Sequence, residues 1–423
     1  MRKIETQCVQ AGWEPKNGEP RILPIYQSTT YKYDSADQIA KIFDLEEDGH
    51  TYSRMSNPTV AGLEERVCAL EGGVAALCTG SGQSANFLSV FNIASCGDNF
   101  IAFTSIYGGS VNMFVMTFRR MGIEARFVTP GMSDEEIEAK IDDRTRCVFG
   151  EMIANPALNV FDVERYAALA HRHSIPLIID NTFATPILAR PFEYGADIVV
   201  HSMTKYMDGS SQVLGGAIVD SGNFDWAASG KFPEMTEPDE SYHGVVYTRD
   251  FGKKAYITKA RVQLMRDIGP VLSPAAAYTL YIGIDSLAVR MERHSENAMK
   301  VARFLEGQEK VESVNFPLLE SSDQYALAQK YLKKGSCGVV PFVVKGGREK
   351  AMRFMNALDM IDIVVHVADA RTSILHPAST THRQLTDQQL LDAGIEPGMV
   401  RLSVGIENVD DIIADLKQAF DRI

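Results

Sequence analysis

Asp180 and Lys205 each close an apolar run, and 25 residues separate them. That interval fits one strand–helix–strand crossover, the connection that joins neighbouring parallel strands. Both side chains therefore emerge at the same edge of a parallel sheet. Apolar runs of this kind recur between residues 60 and 255. Residues 75–78, 99–103, 125–128, 147–152, 176–180, 197–201 and 216–219 are expected to be buried strands. Residues 60–70, 84–94 and 163–171 are expected to be helices between them, the last capped by Asp162. Continuous apolar strands separated by helices predict an α/β fold whose mostly parallel sheet is covered on both faces.

A carboxylate and an amine held at one sheet edge suit pyridoxal phosphate. The lysine forms a Schiff base, and the acid keeps the pyridine nitrogen protonated. The residues before Lys205 are His201-Ser202-Met203-Thr204. Ser202 and Thr204 are two apart, so in an extended chain they share a side and offer two hydroxyls to a phosphate. Cys78-Thr79-Gly80-Ser81-Gly82-Gln83-Ser84-Ala85 follows a strand and opens a helix. Glycines there let backbone N–H groups approach an anion at a helix N-terminus. The same stretch matches G-x-G-x-x-A, a dinucleotide fingerprint that wants an acidic residue ending the next strand. Asp98 has the spacing but precedes its strand. A plain turn without a ligand is the third reading. Tyr52-Ser53-Arg54 lies in an irregular arm. Its arginine either forks onto phosphate oxygens or is an ordinary surface charge. Tyr107, beside Gly108 and Gly109, either stacks on a heteroaromatic cofactor or fills core.

At 423 residues, 45 % hydrophobic and 23 % charged, the chain is globular and too long for one small core. Residues 1–60 are expected to form an arm that packs on another body, a neighbouring subunit among the candidates. Residues 61–255 form the large domain and 256–423 a smaller α+β domain. The latter holds a long helical region at 273–308, strands at 313–316, 338–344 and 400–404, and helices near 348–358 and 409–421. A net charge of −13 opposes broad binding of nucleic acid or anionic membrane. No apolar stretch is long enough to span a bilayer, and no signal peptide is visible. Six cysteines without a C-x-x-C pair suggest free thiols in a reducing compartment, hence a cytoplasmic protein. No metal site is expected.

Taken together, the motifs resemble the Cys/Met-metabolism family of pyridoxal-phosphate enzymes, of aspartate-aminotransferase-like (type I) fold. The matching pieces are Tyr-Ser-Arg-x-x-Asn-Pro-Thr at 52–59, Ser-Gly-Gln at 81–83, Tyr-Gly-Gly at 107–109 and Asn155-Pro156. Asp180-Asn181-Thr182, Ser202-x-Thr204-Lys205, His376-Pro377-Ala378 and Arg401-Leu402-Ser403-Val404-Gly405 complete them, in family order. The resemblance implies roles for individual positions. Lys205 would carry the cofactor and shuttle protons, Asp180 would pair with the pyridine nitrogen, and Tyr107 would stack on the ring and assist proton transfer. Gly82, Gln83, Ser202 and Thr204 would hold the phosphate. Tyr52 and Arg54 would reach the phosphate of a neighbouring subunit, in a homotetramer built of active dimers, with Tyr52 also near substrate. Asn155 and Arg401 would fix the substrate carboxylate.

Within the family the chain is most similar to the O-acetylhomoserine sulfhydrylase branch. The insertion Phe232-Pro233-Glu234-Met235-Thr236-Glu237-Pro238-Asp239-Glu240-Ser241-Tyr242-His243-Gly244 carries that cue, as does Ser-Gly-Gln in place of Ser-Gly-Met. Methionine γ-lyases carry a cysteine where this chain has Gly109, and cystathionine enzymes usually an acidic residue where it has Arg371. The implied reaction is γ-replacement in methionine biosynthesis. O-acetylhomoserine and sulfide, or methanethiol, give homocysteine, or methionine, and acetate. Sulfur could also arrive on a carrier protein. The alternative is a methionine or cystathionine γ-lyase, giving 2-oxobutanoate and ammonia. One departure stands out. His366-Val367-Ala368-Asp369-Ala370-Arg371 occupies a place where the branch more often has Asn or Ser, then Gly, then Lys. His366 there either faces substrate or fills space.

Overall fold

The computed structural model describes residues 2–380, 383, 390 and 396–423. Its larger sheet has seven strands in the order β1-β7-β6-β5-β4-β2-β3. These are β1 (Ala75–Thr79), β2 (Asn99–Phe103), β3 (Glu124–Val128), β4 (Thr145–Glu151), β5 (Leu177–Asp180), β6 (Ile198–Ser202) and β7 (Gly216–Asp220). Strands β2 to β6 pair in parallel, and β7 runs antiparallel to both β6 and β1. With one strand reversed, the sheet is mostly parallel, as expected. Strands β2, β5 and β7 are buried along their whole length, which is why they are continuously apolar. Beside β2 and β4, Phe100, Phe114, Phe118 and Phe149 form edge-on ring pairs 5.0–5.6 Å apart. Each such buried ring contributes roughly 1.5–3 kcal/mol by area alone.

Registration puts the carboxyl ends of several strands at one edge. Glu151 lies opposite Asp180, Asp180 opposite Val200, and Gly216 opposite both Ser202 and Thr79. Helix Pro58–Glu71 packs beneath, with Asn57 accepting from the N–H of Thr59 and Val60, Pro58 in the first turn, and Gly72 ending it at φ +80°. Its buried stripe contains Val60, Leu63, Val67 and Leu70.

The second sheet has the order β10-β11-β12-β9-β8. Its strands are β8 (Val311–Val314), β9 (Val339–Val344), β10 (Asp362–Ile363), β11 (Ser373–Leu375) and β12 (Met399–Ser403). All neighbours are antiparallel except β10 and β11. Helix Val409–Asp421 closes over it, with Phe420 stacked on Phe354 at 4.3 Å.

Four local expectations change. The long helical region at 273–308 is divided into two helices, Pro274–Asp285 and Leu287–Glu306, which meet at Ser286, whose hydroxyl accepts from Arg290 Nε. Asp162 does not cap helix Val163–Arg172, because its carboxylate is held by Tyr331 and Lys330. The strand expected at 313–316 lies at Val311–Val314. Strand β6 stops at Ser202 and the chain turns through residues 203–208, so Ser202 and Thr204 are not related by strand alternation.

The first 60 residues contain two short helices, Ile4–Gln10 and Ala36–Phe43, and one isolated bridge between Thr30 and Tyr52. Asn57 Nδ2 donates to Tyr26 O at 2.8 Å and Thr59 Oγ1 to Pro24 O at 2.8 Å, which ties the arm to the body. Ile22, Ile25, Tyr26, Phe43 and Tyr52 are exposed on it. The insertion lies alongside, with Arg266 over the Tyr242 ring at 5.0 Å and His243 3.8 Å from Asp44. Among the described residues, no helix is long and apolar enough to cross a membrane.

Candidate active site

Thr79 ends β1, and helix Gly82–Phe91 begins three residues later, with Ser81 accepting from the N–H of Ser84 at 3.1 Å. The N–H groups of Gly82 and Gln83 lie in the first turn, where no intrahelical carbonyl is available. A Cβ on Gly82 would meet Ser202 Cβ at 2.4 Å, so the helix start is pressed onto the end of β6. The Gln83 side chain is engaged elsewhere and donates to Gly109 O at 2.9 Å. Thr204 Oγ1 accepts from Gly215 N at 3.1 Å.

Asp180 ends β5 and is 7 % exposed. Its Oδ1 accepts from Thr182 N at 3.0 Å and Thr182 Oγ1 at 2.5 Å, and its Oδ2 from Asn86 Nδ2 at 3.3 Å. Thr182 Oγ1 also accepts from the N–H of Ser202 at 2.8 Å, which links the ends of β5 and β6. Behind them, buried Glu71 accepts from Asn181 at 2.9 Å and pairs with His201 at 2.6 Å. The residues flanking Asp180 and Lys205 are thus anchored to helix Pro58–Glu71.

Lys205 lies in the turn after β6, its Nζ 3.3 Å from His366 Nδ1. Burial lowers its ammonium to about 8, and the charge of Arg401 adds to the effect. Arg401, on β12, donates to Asn155 Oδ1 at 3.2 Å and Val365 O at 3.0 Å. Its Nε is buried without a partner among the described residues. Burial lowers this guanidinium to about 10, opposed by nearby Tyr107. Asn155 precedes a cis peptide bond to Pro156.

Tyr107 opens the short helix Gly108–Asn112, and its ring is half exposed. A Cβ on Gly109 would meet that ring at 2.4 Å, so a side chain at 109 would displace it. The backbone N–H of Tyr107 donates to Glu151 Oε2 at 2.7 Å. Glu151 is buried, and burial, reinforced by the charge of Asp180, raises its carboxyl well above the carboxylate range. Glu151 and Asn86 were not singled out from the sequence, and Thr182 was named only as part of the Asp180-Asn181-Thr182 motif, without a role. The visible signal for Glu151 was that it closes apolar strand β4 as Asp180 closes β5. Asn86 and Thr182 bear on the site through their hydrogen bonds to Asp180, which no local pattern reveals.

Asp180, Ser202, Thr204 and Lys205, with Gly82 and Gln83, gather at the edge of the large sheet, and Arg401 and Asn155 meet across from the small one. Tyr52 and Arg54 are not brought into this group within one chain. They line a separate cavity of about 390 Å³ with Tyr31, Phe43 and Arg266, and the Arg54 guanidinium lies 5.5 Å from the Tyr52 ring.

The site residues fit pyridoxal phosphate. Because residue 82 lacks a side chain, the helix start lies against Ser202, which brings its first N–H groups and the Ser202 hydroxyl together as donors for an anion. The buried carboxylate of Asp180 is aligned by three donors, and Arg401 retains an unpartnered N–H.

Comparison with known proteins agrees. The chain matches the family described as Cys/Met metabolism PLP-dependent enzyme over residues 5–421. It is 44 % identical to O-acetyl-L-homoserine sulfhydrylase of Leptospira meyeri, over 100 % of this chain and 97 % of that one. It is 45 % identical to O-acetyl-L-homoserine sulfhydrylase of Corynebacterium glutamicum, over 99 % and 97 %. It superposes with a TM-score of 0.96 and 37 % identity on a crystal structure of a putative O-acetylhomoserine (thiol)-lyase from Campylobacter jejuni, covering 99 % of this chain and 100 % of that one. That structure carries N'-pyridoxyl-lysine-5'-monophosphate at its position 205.

Proposed function

We infer from membership of the Cys/Met metabolism PLP-dependent enzyme family, to which this chain belongs, that it catalyses γ-replacement on O-acetylhomoserine. Sulfide gives homocysteine and acetate, and methanethiol gives methionine and acetate. The carbon–oxygen bond to acetate breaks, and a carbon–sulfur bond forms at the same γ-carbon. The observation that carries the substrate is full-length similarity to sulfhydrylases named for that ester.

When bound, pyridoxal phosphate supplies an aldehyde for the substrate amine and a ring that stabilises negative charge at the α-carbon. Lys205 is its attachment point, as the pyridoxyl-lysine of the Campylobacter relative supports. The backbone N–H groups of Gly82 and Gln83, with the hydroxyls of Ser202 and Thr204, would hold the phosphate. Asp180, aligned by its three donors, would pair with the ring nitrogen. Tyr107 would cover the ring. Arg401 grips the substrate carboxylate with its free Nε–H and a second N–H, and Asn155 fixes the guanidinium.

Lys205 removes and returns protons at the substrate carbon, for which it must be neutral. A value of about 8 leaves roughly 10 % of the amine neutral at pH 7, about 300-fold more than for an ordinary lysine. Free sulfide or a small thiol is the sulfur donor, delivered from solution or by a sulfide-carrier protein.

The exposed apolar arm packs on a second copy, where Tyr52 and Arg54 complete the neighbouring site, and pairs of such dimers form a homotetramer. The chain works in the cytoplasm, in methionine biosynthesis. Steady-state kinetics with acetyl-, succinyl- and phospho-homoserine, each with and without sulfide, test the proposal. Acetate release should depend on sulfide and favour the acetyl ester. Rapid 2-oxobutanoate release from methionine without any thiol would overturn it.

A further inference from the structure

The turn at residues 366–371 is locked from several sides. Ala368 sits at φ +66°, a conformation glycine adopts freely, and its N–H donates to Ser403 Oγ at 2.8 Å. Arg401 donates to Val365 O at 3.0 Å, and Ser373 Oγ to His366 O at 3.4 Å. Asp369 accepts from Arg371 and from Ser211. These contacts fix the backbone that presents His366, so its imidazole meets Lys205 through a rigid turn. Nε2 of that ring is buried without a partner among the described residues.

We propose that His366 is a positioning residue for Lys205: its Nδ1 accepts a hydrogen bond from the ε-ammonium, holds the unattached lysine at the sheet edge and sets its proton affinity. The inference rests on Lys205 being the cofactor-bearing lysine. An ammonium only donates, so Nδ1 accepts and the proton of the neutral ring sits on Nε2. The charged groups facing the pair are Arg401 from β12, Asp208 from the turn after Lys205, and Asp369 from the turn of His366 itself. Arg401 drives the proton off Lys205, and Nδ1 opposes it. Burial, with the charge of Lys205, takes His366 down to about 4, so the acceptor persists through neutral and alkaline pH. A lysine displaced by substrate is thereby kept in place to exchange protons.

The test uses the full chain freed of cofactor. Trace acetylation with acetic anhydride across pH, read at Lys205 by peptide mass spectrometry, titrates that one amine. Wild type should titrate near 8. His366→Phe removes the acceptor and keeps a ring in place; its midpoint should fall by about one pH unit, the size expected for losing a hydrogen bond to a charged group. His366→Asn restores an acceptor and should stay within about 0.3 unit of wild type. An unchanged or raised midpoint in His366→Phe overturns the proposal. Should that variant fail to fold, ring nitrogen-15 shifts of His366 in wild type and Lys205→Met decide. Nδ1 should lose its acceptor signature in Lys205→Met, and identical shifts overturn the proposal. Borohydride trapping of the holoenzyme tests cofactor attachment separately, so the two failures are distinguishable.

Discussion

Replacing Arg401 by methionine separates a residue kept for substrate from one kept for the fold. Arg401 is 6 % exposed, and the two oxygens it donates to, Asn155 Oδ1 and Val365 O, are neutral. Its fall to about 10 corresponds to about 3 kcal/mol for carrying charge at that site. Methionine removes that cost and fills similar volume, but leaves Asn155 Oδ1 and Val365 O without their donor, at about 1–3 kcal/mol each. The two losses together offset most or all of that gain, so stability should fall by less than about 3 kcal/mol. Catalysis should not. Losing a bidentate carboxylate grip at about 3–4 kcal/mol predicts a fall in kcat/KM of about 10²–10³-fold, mostly through KM. Urea unfolding of the cofactor-free chain and initial rates at varied O-acetylhomoserine measure both. A loss of about 3 kcal/mol or more in stability with KM unchanged would refute the reasoning, because it is what breaking a buried structural pair does.

Asp180→Asn should still bind cofactor yet lose on the order of 10²–10³-fold in kcat, measured by steady-state rates on fully loaded enzyme; near-normal kcat would remove Asp180 from the chemistry. Gly82→Ala places a methyl 2.4 Å from Ser202 Cβ, so cofactor affinity should fall by roughly 10–100-fold in an absorbance titration, with an overpacking cost of about 1–3 kcal/mol. Acid stability should depend on His294, which is fully buried, with Nδ1 on Val404 O at 2.8 Å and its value taken down to about 4 by burial. Between the ordinary histidine value and 4 the unfolded chain binds a proton that the native chain does not, so stability falls as pH drops through that window, by about 3 kcal/mol. His294→Asn should flatten the urea midpoint between pH 7 and 4, and an unchanged slope would exclude His294 as the cause.

The frame of the site was legible because its residues sit at strand ends. Asp180 and Lys205 announced themselves by closing apolar runs, and the crossover length put them on one edge. The Ser202–Thr204 alternation failed because β6 stops at Ser202 and the next residues turn. Asp162 looked like a helix cap, but Tyr331 and Lys330, almost 170 residues on, hold its carboxylate. The break at Ser286 was hidden in an unbroken helical pattern. His366 was visible only as a departure. Its contact with Lys205 spans 161 residues and depends on how the small sheet docks against the large one. Arg401 was placed by resemblance, and its unpartnered Nε is a fact of packing that no local pattern encodes.

Attachment of the cofactor to a single lysine is tested most directly by reducing the loaded enzyme with borohydride, digesting it and sequencing the modified peptide by mass spectrometry. The pyridoxyl mass should lie on Lys205, and Lys205→Ala should lose both the label and visible absorbance. A reduced adduct on any other lysine, or none with the cofactor present, would contradict the account.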